Sequence, residues 1–206
     1  MLPVWGERPI RRTLIAALVV LNVGNLLTIA DGPPAKWLLL SKESNPSTWW
    51  NSLLYLFVGL LLLAEGERAA EPRGWRAAAV VACFLSLDEV ALIHESYDAL
   101  PGGHLLAFGW VVPGIVIAVL VCMPLYGWYR SLDRGLRRSL TIAGFVVLLG
   151  AVGVETIAGD YQRRHSYSRG YEAISTVEEN LELIGGSLAV LSLFRWVSRP
   201  REASQY

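Results

Sequence analysis

The chain has 206 residues, of which 53% are hydrophobic and 17% charged, and its mean hydropathy is +0.41. This composition is too apolar for an ordinary soluble domain of this size, and it predicts an integral membrane protein. The formal net charge of +0 and the lack of a basic tract exclude the electrostatic footprint of a nucleic-acid-binding protein.

Six apolar runs are long enough to cross a bilayer, which takes about 20 residues of helix. In chain order they fall near residues 13–30, 48–64, 77–97, 105–127, 139–158 and 173–194. The runs are continuous and lack the alternating polarity of barrel strands, so helices are favoured over a membrane barrel. We predict a single all-α transmembrane domain, residues 1–206, formed by a bundle of about six helices.

Arginine and lysine collect on one side of these predicted spans. Thirteen of the 18 lie near the two termini or in the loops that follow the second and fourth spans, and five lie in the other loops. Because cytoplasmic loops carry the excess of positive charge, this asymmetry predicts a multi-pass protein of the plasma (inner) membrane with both termini in the cytoplasm.

Acidic residues are concentrated in the outer halves of the third, fifth and sixth predicted spans. A charge at the bilayer centre costs roughly 2.5–3.5 kcal/mol on insertion scales, so a group of charges requires partners, water or a metal. The helical rise per residue puts these acids at similar depths, although three separate helices carry them. The candidate site residues are Asp88, Glu89, His94, Glu95, Glu155, Glu178, Glu179 and Glu182.

Helical spacing places members of this set on common faces. Asp88 and Glu95 are seven residues apart, and Glu178 and Glu182 are four apart. Several carboxylates and the His94 imidazole would then converge between helices. This resembles the ligand chemistry of carboxylate-bridged di-iron or di-manganese bundles, although the Glu-x-x-His pairs of those bundles are not present here.

An oxygen-rich site with one imidazole nitrogen suits iron, manganese or zinc. We therefore expect first a metalloenzyme that oxidises or hydrolyses a lipid or another apolar substrate. A proton- or cation-coupled transporter or channel that uses the same acids is the second alternative. A non-catalytic subunit of a larger membrane complex is the third. Membrane lipids are the expected partners, and both a homo-oligomer and a larger complex stay open.

A purely structural role for these acids also stays open. The arginines of the loop 159–172, namely Arg163, Arg164 and Arg169, would neutralise the acids if their side chains folded over them. Elsewhere, Asn22 and Asn25 lie three residues apart in the first span, and we expect them to form hydrogen bonds across helices.

Overall fold

A computed structural model describes residues 6–31, 36–93, 111–166 and 168–199, and over these residues the chain is helical with no strand. One turn of 3-10 helix, Lys36–Leu38, and one π-helical turn, Leu149–Val154, accompany the α-helices. The α-helices are α1 (Glu7–Asp31), α2 (Pro46–Gly66), α3 (Pro72–Ala91), α4 (Val111–Ser131), α5 (Arg134–Leu148), α6 (Glu155–His165) and α7 (Arg169–Val197).

Five stretches of the described chain are long and apolar enough to cross a membrane. They are Glu7–Ala30, Pro46–Gly66, Gly114–Ser131, Arg134–His165 and Arg169–Val197. These stretches overlap five of the six predicted spans. Helix α3 overlaps the remaining one, 77–97, and is not among the five. The all-helical prediction is therefore confirmed over the described residues, while the count of six crossings and the orientation of the termini stay predictions.

Polar side chains fix where the helices begin. Asn45 precedes α2, and its Oδ1 accepts hydrogen bonds from the backbone amides of Ser47 and Thr48, at 2.7 and 3.0 Å. Asp133 caps α5 in the same manner. These caps satisfy amide groups that have no acceptor within the helix itself. The caps at Asn45 and Asp133 therefore determine the residues at which α2 and α5 begin.

Helix α7 is the central element, since it packs against α1, α2, α5 and α6. Leu183 and Leu193 of α7 are fully buried, with relative exposures of 0%. Helices α2 and α3 form an antiparallel pair beside α7, and α4 packs on α3. This arrangement places one face of α7 against α2 and another against the continuous α5–α6 rod.

At the end of the bundle where α7 finishes, the contacts are polar. Glu65 of α2 is only 2% exposed, and its Oε1 accepts a hydrogen bond from Trp196 Nε1 at 3.1 Å. Arg68 donates to the carbonyl of Val197 at 3.0 Å. These bonds tie the last turn of α7 to the α2–α3 connection. The predicted site acids that the structure describes are on other turns of the bundle, toward the opposite end.

Candidate functional site: a carboxylate cluster around Asn51

A buried asparagine on the second turn of α2 joins acids from two other helices. Asn51 has no exposed surface, and its Nδ2 donates to Glu89 Oε1 of α3 at 3.1 Å and to Glu182 Oε2 of α7 at 3.2 Å. Within the described part of the chain, its Oδ1 has no hydrogen-bond partner. A buried amide oxygen without a partner is rare in native proteins and indicates a missing ligand, water or ion.

Other acids interact electrostatically with the glutamates that Asn51 joins. Glu182 interacts electrostatically with Glu89, Glu178 and Glu155. Glu179 interacts with Glu182, Glu89 and Glu178, and also with Glu43 from the segment that precedes α2. The carboxylates of α3, α6 and α7 are therefore near enough to one another to interact, beside α2. We call the set Glu89, Glu155, Glu178, Glu179 and Glu182, with Asn51 at its centre, the carboxylate cluster.

Tyr55 lies one turn after Asn51 and on the same face of α2. Its phenol interacts electrostatically with Glu182, Glu89 and Glu179. A phenol in this place is a proton donor or acceptor in reach of carboxylates. Helix α2 therefore contributes one amide and one hydroxyl to a group whose other members are acids.

Two glycines allow α5 and its π-helical extension to approach α7 closely. A Cβ at Gly150 would lie 2.9 Å from the carbonyl oxygen of Glu178 and 3.1 Å from Cγ of Glu182. A Cβ at Gly185 would lie 2.9 Å from the carbonyl oxygen of Ala143. Only glycine fits at such distances. The close contact brings the chain that leads to Glu155 against the turn of α7 that carries Glu178 and Glu182.

The π-helical turn Leu149–Val154 directly precedes Glu155. The backbone N–H of Glu155 bonds to the carbonyl of Gly150, five residues earlier, in place of the α-helical partner four residues earlier. A π-helical turn inserts one residue and so rotates the following helix by about 100° relative to an uninterrupted α-helix. The direction of Glu155 therefore depends on this turn, and π-helical turns are frequent at functional sites.

The structure brings together five of the eight predicted site residues, those of the carboxylate cluster. Asp88 is half-buried, and it is not among the groups with the largest electrostatic effect on Glu179 or Glu182. His94 and Glu95 lie outside the described residues. Helix α3 ends at Ala91, and Leu92 takes the left-handed conformation, with φ 53°. The predicted common face of Asp88 and Glu95 extends beyond the described residues and stays a prediction.

The loop arginines have another partner. Arg164 and Arg163 form ion pairs with Asp160, at 3.0 and 3.5 Å, and both guanidinium side chains are largely exposed. Arg169 is also exposed. The structure therefore pairs Arg163 and Arg164 with an acid in the middle of α6 that is not part of the carboxylate cluster.

Sequence reasoning missed Asn51 and Tyr55, and also Glu43, whose charge acts on Glu179 from outside the cluster. An asparagine and a tyrosine within an apolar span are a visible signal for the first two. Nothing in the local sequence distinguishes Glu43 from a solvated loop acid. Among the described residues, no group of three or more His, Cys, Asp and Glu side chains is arranged as a metal site.

The fold and the site together define a class, an all-helical protein with membrane-spanning candidates and a carboxylate cluster among them. The chain belongs to the family described as domain of unknown function (DUF8692), which it matches over residues 12–197. No curated protein and no solved structure matches the chain significantly. The family match covers every residue of the carboxylate cluster.

Proposed function

We propose that this protein binds a cation within the membrane, between α2, α3 and α7. The observation that carries the proposal is the position of Asn51, fully buried and bonded to Glu89 and Glu182 from two different helices. Two neighbouring carboxylates in an apolar surrounding repel each other strongly, and a cation or a proton between them offsets this repulsion. The Asn51 oxygen supplies a neutral donor beside them.

The cation that we favour is a divalent metal ion, namely iron, manganese or zinc. Carboxylate and amide oxygens alone would suit magnesium, calcium or manganese, and the nitrogen that His94 would add favours iron, manganese or zinc. Glu89, Glu179 and Glu182 would hold the ion after their side chains turn toward one another, since the described structure does not arrange them as a metal site. The remaining predicted site residues, Asp88, Glu95, Glu155 and Glu178, would orient these ligands or complete the set.

A metal ion in this position would act as a Lewis acid and lower the pKa of a bound water. We propose that the protein acts on a lipid or another apolar substrate, because such a substrate reaches a site within the membrane directly. The bound water would serve hydrolysis with any of the three ions, whereas oxidation would require iron or manganese together with dioxygen as the oxidant. Six crossings with both termini in the cytoplasm, as the arginine distribution predicts, would place the site in the outer half of the plasma membrane.

The test is metal content. The full chain is purified in mild detergent without chelators, and bound metals are quantified by mass spectrometry for the wild type and for a Glu179→Gln, Glu182→Gln double variant. Glu65→Gln is the matched control, because it removes a buried acid at the opposite end of α2 and keeps an acceptor for Trp196. All three proteins are first shown to be monodisperse.

We expect stoichiometric iron, manganese or zinc in the wild type and in Glu65→Gln, and little in the double variant. Equal metal content in all three proteins would show that any bound ion lies elsewhere. A wild type free of metal, which also takes up none of these ions on titration, would overturn the metal proposal.

A second candidate is proton- or cation-coupled transport. It is favoured by Tyr55, since its hydroxyl is near enough to Glu182, Glu89 and Glu179 to interact with them electrostatically and would relay protons among them. In proteoliposomes, this candidate predicts a proton or cation flux that follows the pH gradient and is abolished by Glu182→Gln. A flux at the level of empty liposomes would exclude it.

A further inference from the structure

The segment between α1 and α2, residues 36–45, is folded back against the bundle. Leu39 and Leu40 are buried, with exposures of 7% and 1%. The backbone N–H of Leu40 donates to Asn25 Oδ1 at 3.0 Å, and Asn45 Nδ2 donates to the carbonyls of Leu39 and Lys42. The side-chain amides of Asn25 on α1 and of Asn45, the cap of α2, therefore fix the path of this short segment.

This path brings an exposed acid close to the carboxylate cluster. Glu43 Oε2 accepts a hydrogen bond from Thr48 Oγ1 at 3.3 Å, and its charge acts on Glu179. Glu43 is exposed, Glu179 and Glu182 are half-buried, and Asn51 is fully buried. Polar groups therefore form a series that runs from the aqueous surface to the amide at the centre of the cluster.

The unpartnered Oδ1 of Asn51 at the end of this series independently indicates a ligand there. A ligand that is attracted by the acids of this series carries a positive charge. It comes from water, because the outermost of these acids is exposed at the surface and belongs to a segment outside the helices. A fixed negative charge at the mouth of a low-dielectric site raises the local concentration of cations and their rate of entry.

We propose that Glu43 is the entry carboxylate of the site, by which a hydrated inorganic cation passes from the aqueous phase to Glu179 and Glu182. This inference rests on the proposed function, since it gives the cluster its ligand class and its route of access. Glu43 guides the ion in and is not a member of the final ligand set. Its removal therefore changes the rate of entry and leaves the capacity of the site intact.

The first experiment uses Mn²⁺ as the probe and the metal-free full chain in detergent. The association rate is measured by stopped-flow tryptophan fluorescence, and the stoichiometry by the spin-resonance signal of free Mn²⁺. For Glu43→Gln we expect an association rate lower by about tenfold at low salt, a weaker dependence on salt and an unchanged stoichiometry. Glu71→Gln, an exposed acid at the opposite end of the bundle, is expected to match the wild type.

The second experiment tests the route without any metal. Glu179→Cys is introduced into a Cys83→Ala, Cys122→Ala background, since both native cysteines are free thiols. Its reaction with a cationic and an anionic methanethiosulfonate reagent is timed with Glu43 present and with Glu43→Gln. We expect the cationic reagent to react faster than the anionic one, and this ratio to fall several-fold in Glu43→Gln.

The two experiments separate the two proposals. If the wild type binds no Mn²⁺ but the reagent ratio depends on Glu43, the metal site is wrong and the cation route is retained. If Mn²⁺ binds at the same rate with and without Glu43, and the reagent ratio does not change, the entry role of Glu43 is wrong while the metal site is retained. A Glu179→Cys variant whose introduced thiol reacts with neither reagent also overturns the route.

Discussion

Asn22 on α1 and Asn180 on α7 donate to each other through their side-chain amides, at 2.7 and 2.9 Å. One turn away, Asn25 donates to Thr176 Oγ1 at 3.1 Å. The prediction that these asparagines bond across helices is therefore confirmed. Asn180 lies between Glu179 and Glu182 in the chain, so the amide pair also fixes the rotation of α7 that directs both acids toward α2.

The amide pair gives a first prediction. Asn22→Ala and Asn180→Ala should each lower the free energy of unfolding, because either change leaves one amide without its partner. In a double-mutant cycle we expect a coupling energy of about 0.6–1.7 kcal/mol, the range found for hydrogen bonds between membrane helices. Unfolding in mixed detergent micelles measures it. A coupling energy of zero would mean that the pair adds no stability.

The amide bridge gives a second prediction. Asn51→Leu removes the donor shared by Glu89 and Glu182 and should lower the free energy of unfolding by about 1–3 kcal/mol. Adding Glu182→Gln should recover part of this loss. In the double variant a neutral glutamine takes the place of the Glu182 carboxylate, which had lost its donor in Asn51→Leu. The same micelle assay applies. Strictly additive losses would argue against a direct interaction between Asn51 and Glu182.

A matched glycine pair tests the close approach of α7 to the π-helical turn. Gly150→Ala places a methyl group against the Glu178 carbonyl and Cγ of Glu182, and should cost about 1–3 kcal/mol of stability. Gly144→Ala is the control, since a Cβ there meets no atom within 4 Å. It should be neutral or stabilising by up to about 1 kcal/mol, the helix-propensity difference. Equal stabilities for the two variants would contradict this close packing.

The π-helical turn gives a fourth prediction. Deletion of Val152 should restore continuous α-helical bonding and rotate Glu155 by about 100° away from Glu182. A bifunctional thiol reagent should join Glu155→Cys to Glu182→Cys in the cysteine-free background, and should fail to do so after the deletion. Circular dichroism is expected to show unchanged helix content. Equal cross-linking yields with and without the Val152 deletion would show that the π-helical turn does not direct Glu155 toward Glu182.

The sequence by itself determined the helical class of the described chain and the approximate position of its apolar helices. Apolar runs of membrane-spanning length are a local property, because each helix satisfies its own backbone hydrogen bonds whatever its neighbours are. The sequence also identified the acids of the cluster, since charged residues within apolar runs stand out without any knowledge of the fold. Glu155 and Glu182 were selected in this way.

Only the tertiary structure decided which groups meet. Asn51 and Glu182 are distant in the chain, and the bond between them follows from the packing of α2 on α7, which no local pattern specifies. The direction of Glu155 depends on one extra residue in a π-helical turn, and the position of Glu43 depends on a segment held by Asn25 and Asn45. Each of these is set by contacts between separate elements, and such contacts exist only once the helices have packed.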